Sequence, residues 1–344
     1  MRPQRILLAW RPAVGHPVSC TAAVAAWLAR SQPVLVRPVT VIPRLWPGDG
    51  GTGSATGPDA GTGAGSGSGT DAGRRAFDDW AVRESAAARR SAVTALREAG
   101  VPDDMIDVPD STDPVVSHSE TTALTDAAQD FGADLILIGS REDAPAGRFR
   151  TGATADALLH CSPLPVLTAP NEPVLSRRGV TRVTCAYVDT EQSRQALRHA
   201  ADRAARWEVP LRLVALTPAA ATMYPATEPL PGTGTADAGD TSGATGTADA
   251  AGVRAASQAW LAEAAALLDR GVHRALERHP ELTVTAETGT GTTWQDSVDA
   301  LHWKKGDLLV VGSSVLGSFN RVFIGPSTNQ ILRTSPAPVL ISAV

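Results

Sequence analysis

The heptapeptide DLILIGS at residues 134–140 decides the fold, because the related DLLVVGS follows at residues 307–313, an offset of 173 from Gly139 to Gly312. Each is an apolar run ending in Gly-Ser, which is typical of a buried parallel strand followed by a tight turn. The same offset of 173 relates four further pairs: Gly152 and Gly325, Ser162 and Ser335, Pro163 and Pro336, and Pro165 and Pro338. An offset that stays constant from residue 134 to residue 165 indicates an internal duplication.

Upstream of these strands the two copies remain alike in a looser register. RILLAW at residues 5–10 resembles RVTCAY at residues 182–187, and each is followed by an alanine-rich helical stretch and a second strand-like run. Strands that alternate with helices imply βαβ units, right-handed crossovers and a parallel sheet covered on both faces. The sequence therefore predicts an α/β fold made of two tandem doubly wound domains, at residues 1–172 and 180–344.

Each predicted domain has five strands. Third strands are expected around residues 105–108 and 282–286, and fifth strands at residues 165–169 and 338–342. A tract rich in Gly, Ser, Thr, Ala and Asp follows the second strand of each copy, at residues 48–73 and 231–252. Such tracts bury too little apolar surface to offset the entropy lost on ordering, so we expect flexible surface loops.

Composition excludes several classes of protein. Hydrophobic residues make up 43% of the chain, charged residues 19%, and the formal net charge is −5, which argues against a nucleic-acid partner. No signal peptide or membrane-spanning run is visible, and Cys20, Cys161 and Cys185 lack the spacing of a metal or redox motif. The seven histidines form no metal-binding motif either. We therefore expect a cytoplasmic protein without a metal site.

Ligands of doubly wound sheets bind at the carboxyl ends of the strands, so the loops there are the informative ones. In the second copy Asp189 follows the first strand, and Gly312, Ser313 and Gly317 follow the fourth. Gly325 opens the next helix, and the backbone N–H groups and hydroxyls of Ser327 and Thr328 could receive a phosphate there. Two alternatives need no ligand: the loop is only a tight strand-to-helix turn with a capping hydroxyl, and Asp189 only caps the following helix.

The loop, the helix after it and the endings PLPVL (163–167) and PAPVL (336–340) resemble the last third of a universal stress protein domain. The resemblance covers nearly the whole chain outside the two tracts and the termini. It implies five-stranded sheets in the order 3-2-1-4-5, of the nucleotide-binding adenine-alpha-hydrolase-like type. ATP-binding members of that family have Gly, two residues, Gly, nine residues, then Gly and Ser or Thr, with an Asp at the end of strand one that contacts the nucleotide.

Both copies depart from that pattern. In the second copy Val315 replaces the middle glycine, and Pro326 removes an N–H that would face a phosphate. In the first copy strand one ends without an acid, and Glu142 and Asp143 place two carboxylates where a triphosphate would approach. The second copy is therefore the candidate site, with ATP or another adenine nucleotide as its ligand.

Two functions remain open. One is a stress-response regulatory module that binds a nucleotide in its second domain; the other is a structural or interaction module without a nucleotide. A third alternative is an enzyme with phosphatase or nucleotidyl-transfer activity, but no catalytic residue is assigned and we expect no enzyme, with weak ATP hydrolysis left open. Family members commonly dimerise through the fifth strand, which implies that the two copies pair through Val166-Leu167 and Val339-Leu340, with a homodimer of the whole chain also open.

Overall fold

The computed structural model describes residues 2–11, 19–44, 67–111, 113–218, 245–313, 322 and 324–342. The elements of the first repeat are β1 (Gln4–Ala9), α1 (Cys20–Ala29), β2 (Val34–Val39), β3 (Val41–Pro43), α2 (Gly67–Ala99), β4 (Val115–Ser117), α3 (Glu120–Phe131), β5 (Leu135–Gly139), α4 (Ala153–Cys161) and β6 (Val166–Ala169). Those of the second repeat are β7 (Arg182–Ala186), α5 (Glu191–Arg206), β8 (Leu211–Pro218), α6 (Thr245–Arg278), β9 (Val284–Gly291), α7 (Trp294–Asp299), β10 (Asp307–Gly312), α8 (Pro326–Thr334) and β11 (Val339–Ser342).

The strands of both repeats form one nine-stranded sheet in the order β2-β1-β5-β6-β11-β10-β7-β8-β9. Neighbouring strands are parallel within each repeat, and helices connect them, as βαβ units require. Within the second repeat the strands lie in the order 3-2-1-4-5. The two repeats meet where β6 and β11, their last strands, pair antiparallel, with Leu167 opposite Leu340.

The first repeat contributes four strands to this sheet, so the predicted third strand around residues 105–108 is wrong as a full strand. The segment instead forms a short 3-10 helix, Asp103–Met105, followed by a single parallel bridge between Ile106 and Val36. Pro38 in β2 lacks an N–H for a ladder hydrogen bond, and Pro102 and Pro109 bracket the segment. β3, which follows β2 in the chain, pairs with β4 in a separate two-stranded sheet.

The predicted flexible tracts are wrong in their last residues. Residues 67–73 belong to the first turns of α2, and residues 245–252 belong to the first turns of α6. Adding a residue to an existing helix is far less costly than nucleating one, so the helix extends into a weakly helical sequence. The rest of both tracts, residues 48–66 and 231–244, lies outside the described residues.

The core lies on both faces of the sheet, and each face is shared by the two repeats. One cluster contains Trp27 of α1 together with Ala200 of α5, and its side chains include both Leu167 and Leu340. The cluster on the other face includes Val166 and Ile341. The sheet and its two cores are therefore continuous across the repeat junction. In the described part of the chain, no helix has the length and apolar character needed to cross a bilayer.

Candidate functional site

The predicted site of the second repeat lies at the carboxyl edge of β7 and β10, which are neighbouring parallel strands. Asp189 follows β7, while Gly312 ends β10 and Ser313 comes next. Gly325 is the N-cap of α8, which places Ser327 and Thr328 in its first turn; Gly317 lies outside the described residues. The topology therefore brings the predicted residues to one edge of the sheet.

Gly312 is required by packing. A Cβ at this position would lie 2.8 Å from the carbonyl oxygen of Gln192 and 3.0 Å from its carbon, both in the first turn of α5. Real Cβ atoms essentially never approach a backbone atom closer than 3.0 Å, so a larger residue would push α5 away from β10. The glycine in this turn is thus explained by the close approach of helix and strand, whether or not a ligand binds.

Asp189 is held by three arginines. Its Oδ1 lies 3.0 Å from an Nη1 of Arg194 and 3.0 Å from that of Arg274, and its Oδ2 lies 3.7 Å from Nε of Arg270. The hydrogen bond from Arg194, followed by that from Arg274, lowers the pKa of the Asp189 carboxyl below its usual value. Asp189 is therefore a carboxylate at neutral pH, and its charge is balanced before any ligand arrives.

The arrangement of Asp189 excludes one alternative interpretation, in which this residue caps α5. The N-cap of α5 is Thr190, whose hydroxyl accepts a hydrogen bond from the backbone N–H of Ser193 at 3.3 Å. The Asp189 side chain contacts the guanidinium groups of Arg270 and Arg274 of α6 and of Arg194 of α5, and among the described residues no backbone N–H of α5 donates to it. The capping hypothesis for Asp189 is wrong.

The start of α8 offers uncapped backbone donors. No side-chain oxygen of the described residues caps it, although the first N–H groups of a helix have no intrahelical acceptor. Pro326 occupies the first helical position and lacks an N–H, which leaves those of Ser327 and Thr328. Ser313, which follows β10, is only 3% exposed, and its Oγ has no hydrogen-bond partner among the described residues. Unpaired buried hydroxyls are uncommon, which favours a ligand contact here.

The corresponding edge of the first repeat holds a cleft of about 460 Å³. It is lined at the ends of β1 and β5 by Ala9 and Gly139, and at the start of α4 by Gly152 and Thr154. Cys20 also lines it, and burial raises the pKa of its thiol. This cleft lies at the edge of the first copy, where the sequence argues against a nucleotide because of Glu142 and Asp143.

Glu120 fills the anion position of that cleft with a carboxylate of the protein itself. Its Oε2 accepts a hydrogen bond from the Thr154 hydroxyl in the first turn of α4, and it forms an ion pair with Arg11 at 2.5 Å. Arg11 also donates to Thr154 Oγ1 at 3.0 Å. The Glu120 carboxylate is thus held by the Thr154 side chain in the first turn of α4, where the helix dipole favours negative charge. The sequence did not point to Glu120, since α3 carries it from a distant part of the chain.

Two further carboxylates, Glu142 and Asp143, line the same cleft. Asp143 accepts hydrogen bonds from two guanidinium nitrogens of Arg141, Nε at 2.9 Å and Nη2 at 3.0 Å, so its charge is internally balanced. The ends of the first strands of the two repeats can be aligned through one shared hydrogen bond. The backbone N–H of Trp10 donates to the carbonyl oxygen of Val39, and in the second repeat the backbone N–H of Tyr187 donates to that of Val214. The residue matching Asp189 is then Pro12, which lies outside the described residues and carries no charge.

The arginines around Asp189 were also missed by sequence reasoning. Two of them, Arg270 and Arg274, recur with Arg278, which pairs with Asp202 instead, at the four-residue spacing of one helix face, a pattern that usually marks a solvated surface. This four-residue spacing was the available signal in the sequence, but it does not identify Asp189 as the partner. Among the described residues, no group of three or more His, Cys, Asp or Glu side chains could hold a metal ion.

Comparisons with known proteins agree with the duplication. The model of the universal stress protein family matches residues 13–170 and again residues 179–342. Universal stress proteins of Mycobacterium tuberculosis and Mycobacterium bovis are each 29% identical to this chain over 269 residues, which is 77% of this chain and 81% of theirs. The crystal structure of a universal stress protein from Archaeoglobus fulgidus superposes with a TM-score of 0.55 at 15% identity, covering 98% of both chains, and shares the fold. Both repeats of this chain belong to the universal stress protein family.

Proposed function

We propose that this chain is a stress-response regulatory protein that binds ATP or another adenine nucleotide in its second repeat. The observation that carries the proposal is the start of α8, which no side chain of the described residues caps, with the buried Ser313 hydroxyl after β10, which has no hydrogen-bond partner among those residues. A helix N-terminus carries about half a positive charge, which suits a phosphate. The role proposed is binding, acting in the cytoplasm, where the free cysteines Cys20, Cys161 and Cys185 suit a reducing compartment.

The surroundings of Asp189 support the same assignment. A carboxylate accepts hydrogen bonds from ribose hydroxyls or from the adenine amino group. In this site the carboxylate is held in place by Arg194 and Arg274. Both arginines keep further donors on their guanidinium groups, so a bound nucleotide gains contacts without stripping Asp189 of its partners.

The first repeat is proposed as the structural partner. Its cleft already contains Glu120 at the start of α4, with Glu142 and Asp143 alongside. Like charges within about 4–8 Å of one another near a protein surface cost on the order of 2–4 kcal/mol before screening. A triphosphate entering this cleft would meet the carboxylate of Glu142 and would have to displace that of Glu120 from Arg11 and Thr154, so we expect nucleotide to bind only in the second repeat.

Replacing Gly325 with valine is expected to weaken ATP binding at least about tenfold, because the isopropyl group occupies the approach to the N–H groups of α8. The backbone tolerates the change, since Gly325 has φ −80° and ψ 171°, extended geometry open to any residue. Isothermal titration of the full chain with ATP and with AMP measures the effect. At a ligand concentration a hundredfold above Kd, binding stabilises the fold by about 2.7 kcal/mol, so a thermal-shift series provides a second readout.

Gly152→Val is the matched control, because Gly152 is the N-cap of α4, 173 residues before Gly325. Its φ of −95° and ψ of 176° are also extended. A Cβ there would meet only Arg141 Cγ, at an ordinary 3.6 Å. ATP binding should survive this change. Equal losses in both variants, or unchanged binding in Gly325→Val, would contradict the assignment to the second repeat.

A second candidate function is an interaction module that binds no nucleotide. It is favoured by Asp189, whose charge is already balanced by arginines, and by Pro326, which removes one N–H from the phosphate position. The absence of heat or thermal shift with millimolar ATP and AMP on the wild-type chain would decide for this candidate.

A further inference from the structure

A second cleft, of about 670 Å³, lies at the junction of the two repeats. Its first-repeat wall is the loop between β5 and α4, from Arg141 to Thr151, and its second-repeat wall is Gln295 of α7 with Arg333 and Thr334 of α8. It is separate from the strand-end site of the second repeat, because none of Asp189, Ser313 or Gly325 lines it. Its volume is within the range of small-molecule sites.

The charge of this cleft is opposite to that of the chain. Four arginines line it, namely Arg141, Arg148, Arg150 and Arg333. Among the described residues its one lining carboxylate is Asp143, while the whole chain has a formal net charge of −5. Guanidinium groups gathered in a concave surface raise the local concentration of anions and match phosphate oxygens in paired hydrogen bonds.

Two of the four arginines have donors to spare. Asp143 is already bound at 2.9 and 3.0 Å by Arg141, and Arg150 approaches it only at 3.8 Å. Arg333 is exposed and forms no ion pair with any residue that the structure describes. The two guanidinium groups stand on opposite walls, one from each repeat.

Arg148 shows that this cleft couples the repeats. From the first repeat it donates to the carbonyl oxygen of Thr334, and its Nη2 lies 3.3 Å from Asp299 Oδ1, both in the second repeat. The floor beside it is Phe149, which is 1% exposed. The contacts of Arg148 with the second repeat fix the distance between the two walls. The donors are therefore preorganised, and a ligand binds without the entropy cost of ordering them.

We propose that this junction cleft binds a small oligophosphate anion, held between Arg150 of the first repeat and Arg333 of the second. A ligand with two or more phosphate groups can reach both walls and offset the repulsion among the arginines. Its source is either an inorganic oligophosphate or the phosphate chain of a nucleotide. Binding there would tighten the docking of the two repeats.

The test is isothermal titration of the full chain with sodium tripolyphosphate at low ionic strength. We expect saturable binding to one site, weakened about a hundredfold by Arg150→Gln with Arg333→Gln, at roughly tenfold for each lost charge-assisted contact. The control is Arg177→Gln with Arg178→Gln, which removes the same charge from two exposed residues before β7, at the amino edge of the sheet. We expect the control to change Kd by less than about twofold, since distant charges are screened.

Three results would overturn the proposal: no saturable binding, equal weakening in the cleft and control variants, or loss of tripolyphosphate binding in Gly325→Val. The last result would place the anion at the amino end of α8 and not in the junction cleft. Retention of binding in Gly325→Val supports the cleft whether or not ATP binds the second-repeat site. In that variant, ATP that displaces tripolyphosphate identifies nucleotide phosphates as ligands of the cleft. ATP that does not displace it identifies an inorganic oligophosphate.

Discussion

Replacing Asp307 with alanine is expected to lower the free energy of unfolding by about 3–5 kcal/mol, because buried arginines would lose the carboxylate that balances them. The Asp307 side chain is fully buried at the start of β10. Its two oxygens accept from Nε and Nη2 of Arg182 at 2.7 and 2.6 Å, and Oδ2 also accepts from Lys304 N at 2.8 Å. Arg212 Nη2 lies 3.6 Å from the same oxygen.

Arg212 makes the loss large, because its side chain is only 2% exposed. It stacks over the ring of Trp303 at 4.9 Å and donates to Glu287 Oε2 at 2.8 Å. Burial lowers the pKa of Arg212 from its ordinary value, which shows how unfavourable its charge is in this position. Glu287 remains after the substitution, but one partly exposed carboxylate cannot balance Arg182 and Arg212 together.

Asp134→Ala is the matched control, since Asp134 precedes β5 as Asp307 begins β10. Its main partner is Arg2, whose side chain is 71% exposed, and it also accepts from Arg5 N at 2.8 Å. Exposed ion pairs contribute little, so we expect a loss of about 1 kcal/mol. Urea unfolding followed by circular dichroism measures both variants. Similar losses at the two positions would show that Asp307 is not the centre of a buried charge network.

The duplication, the strand-helix alternation and the strand-end location of the candidate residues were predictable from sequence. The reason is that the signal for each is local: an apolar run ending in Gly-Ser, a proline before a short strand, an acid after a strand. Of residues 134–140 and 307–313, all but Asp134, Ser140 and Ser313 form β5 and β10. Local pattern is sufficient when the determining contacts lie within one βαβ unit.

Charge partners were not predictable, because they join residues that are far apart in the chain. Asp189 is held from α6, 85 residues away at Arg274, and Thr154 is occupied by Glu120 from α3. A charged residue on an amphipathic helix face is more often solvated, so no sequence pattern separates Arg274 from its neighbours. Whether the Asp189 carboxylate, after β7, is free or already paired therefore depends on contacts between elements that the sequence does not show.

Two arginines that lie over aromatic rings show the same limit, one in each repeat. Arg37 in β2 lies over the ring of Phe131 at 4.1 Å and pairs with Asp107, while Arg212 in β8 lies over Trp303 and pairs with Glu287. In sequence, each is one charged residue within an apolar run. The duplicated arrangement is recognisable only when strand, aromatic ring and carboxylate are seen together.

Replacing Leu340 with aspartate is expected to separate the two repeats and to lower the free energy of unfolding by more than about 4 kcal/mol. Leu340 of β11 is 2% exposed and lies directly opposite Leu167 of β6, in the core cluster shared by both repeats. A carboxylate there would have no partner among the apolar side chains of that cluster. Leu340→Met, which conserves volume, should cost less than about 1.5 kcal/mol.

The shape of the unfolding transition distinguishes loss of docking from simple loss of core packing. Because both cores cross the junction, we expect one cooperative transition in the wild-type chain and two in Leu340→Asp, each with a smaller dependence on denaturant. The same substitution at Leu213, which is fully buried inside the second repeat, should destabilise without separating the repeats at low denaturant.

Separation would also expose the edges of β6 and β11, which are hydrogen-bonded to each other in the native chain. Unpaired strand edges associate with other chains, so sedimentation of Leu340→Asp should show more concentration-dependent association than the wild-type chain does under the same conditions. If Leu340→Asp instead unfolds in a single transition and stays monomeric, the repeats are held together by contacts other than the fifth strands. The hydrogen bonds from Arg148 to Thr334 and Asp299 would then be the next contacts between the repeats to test.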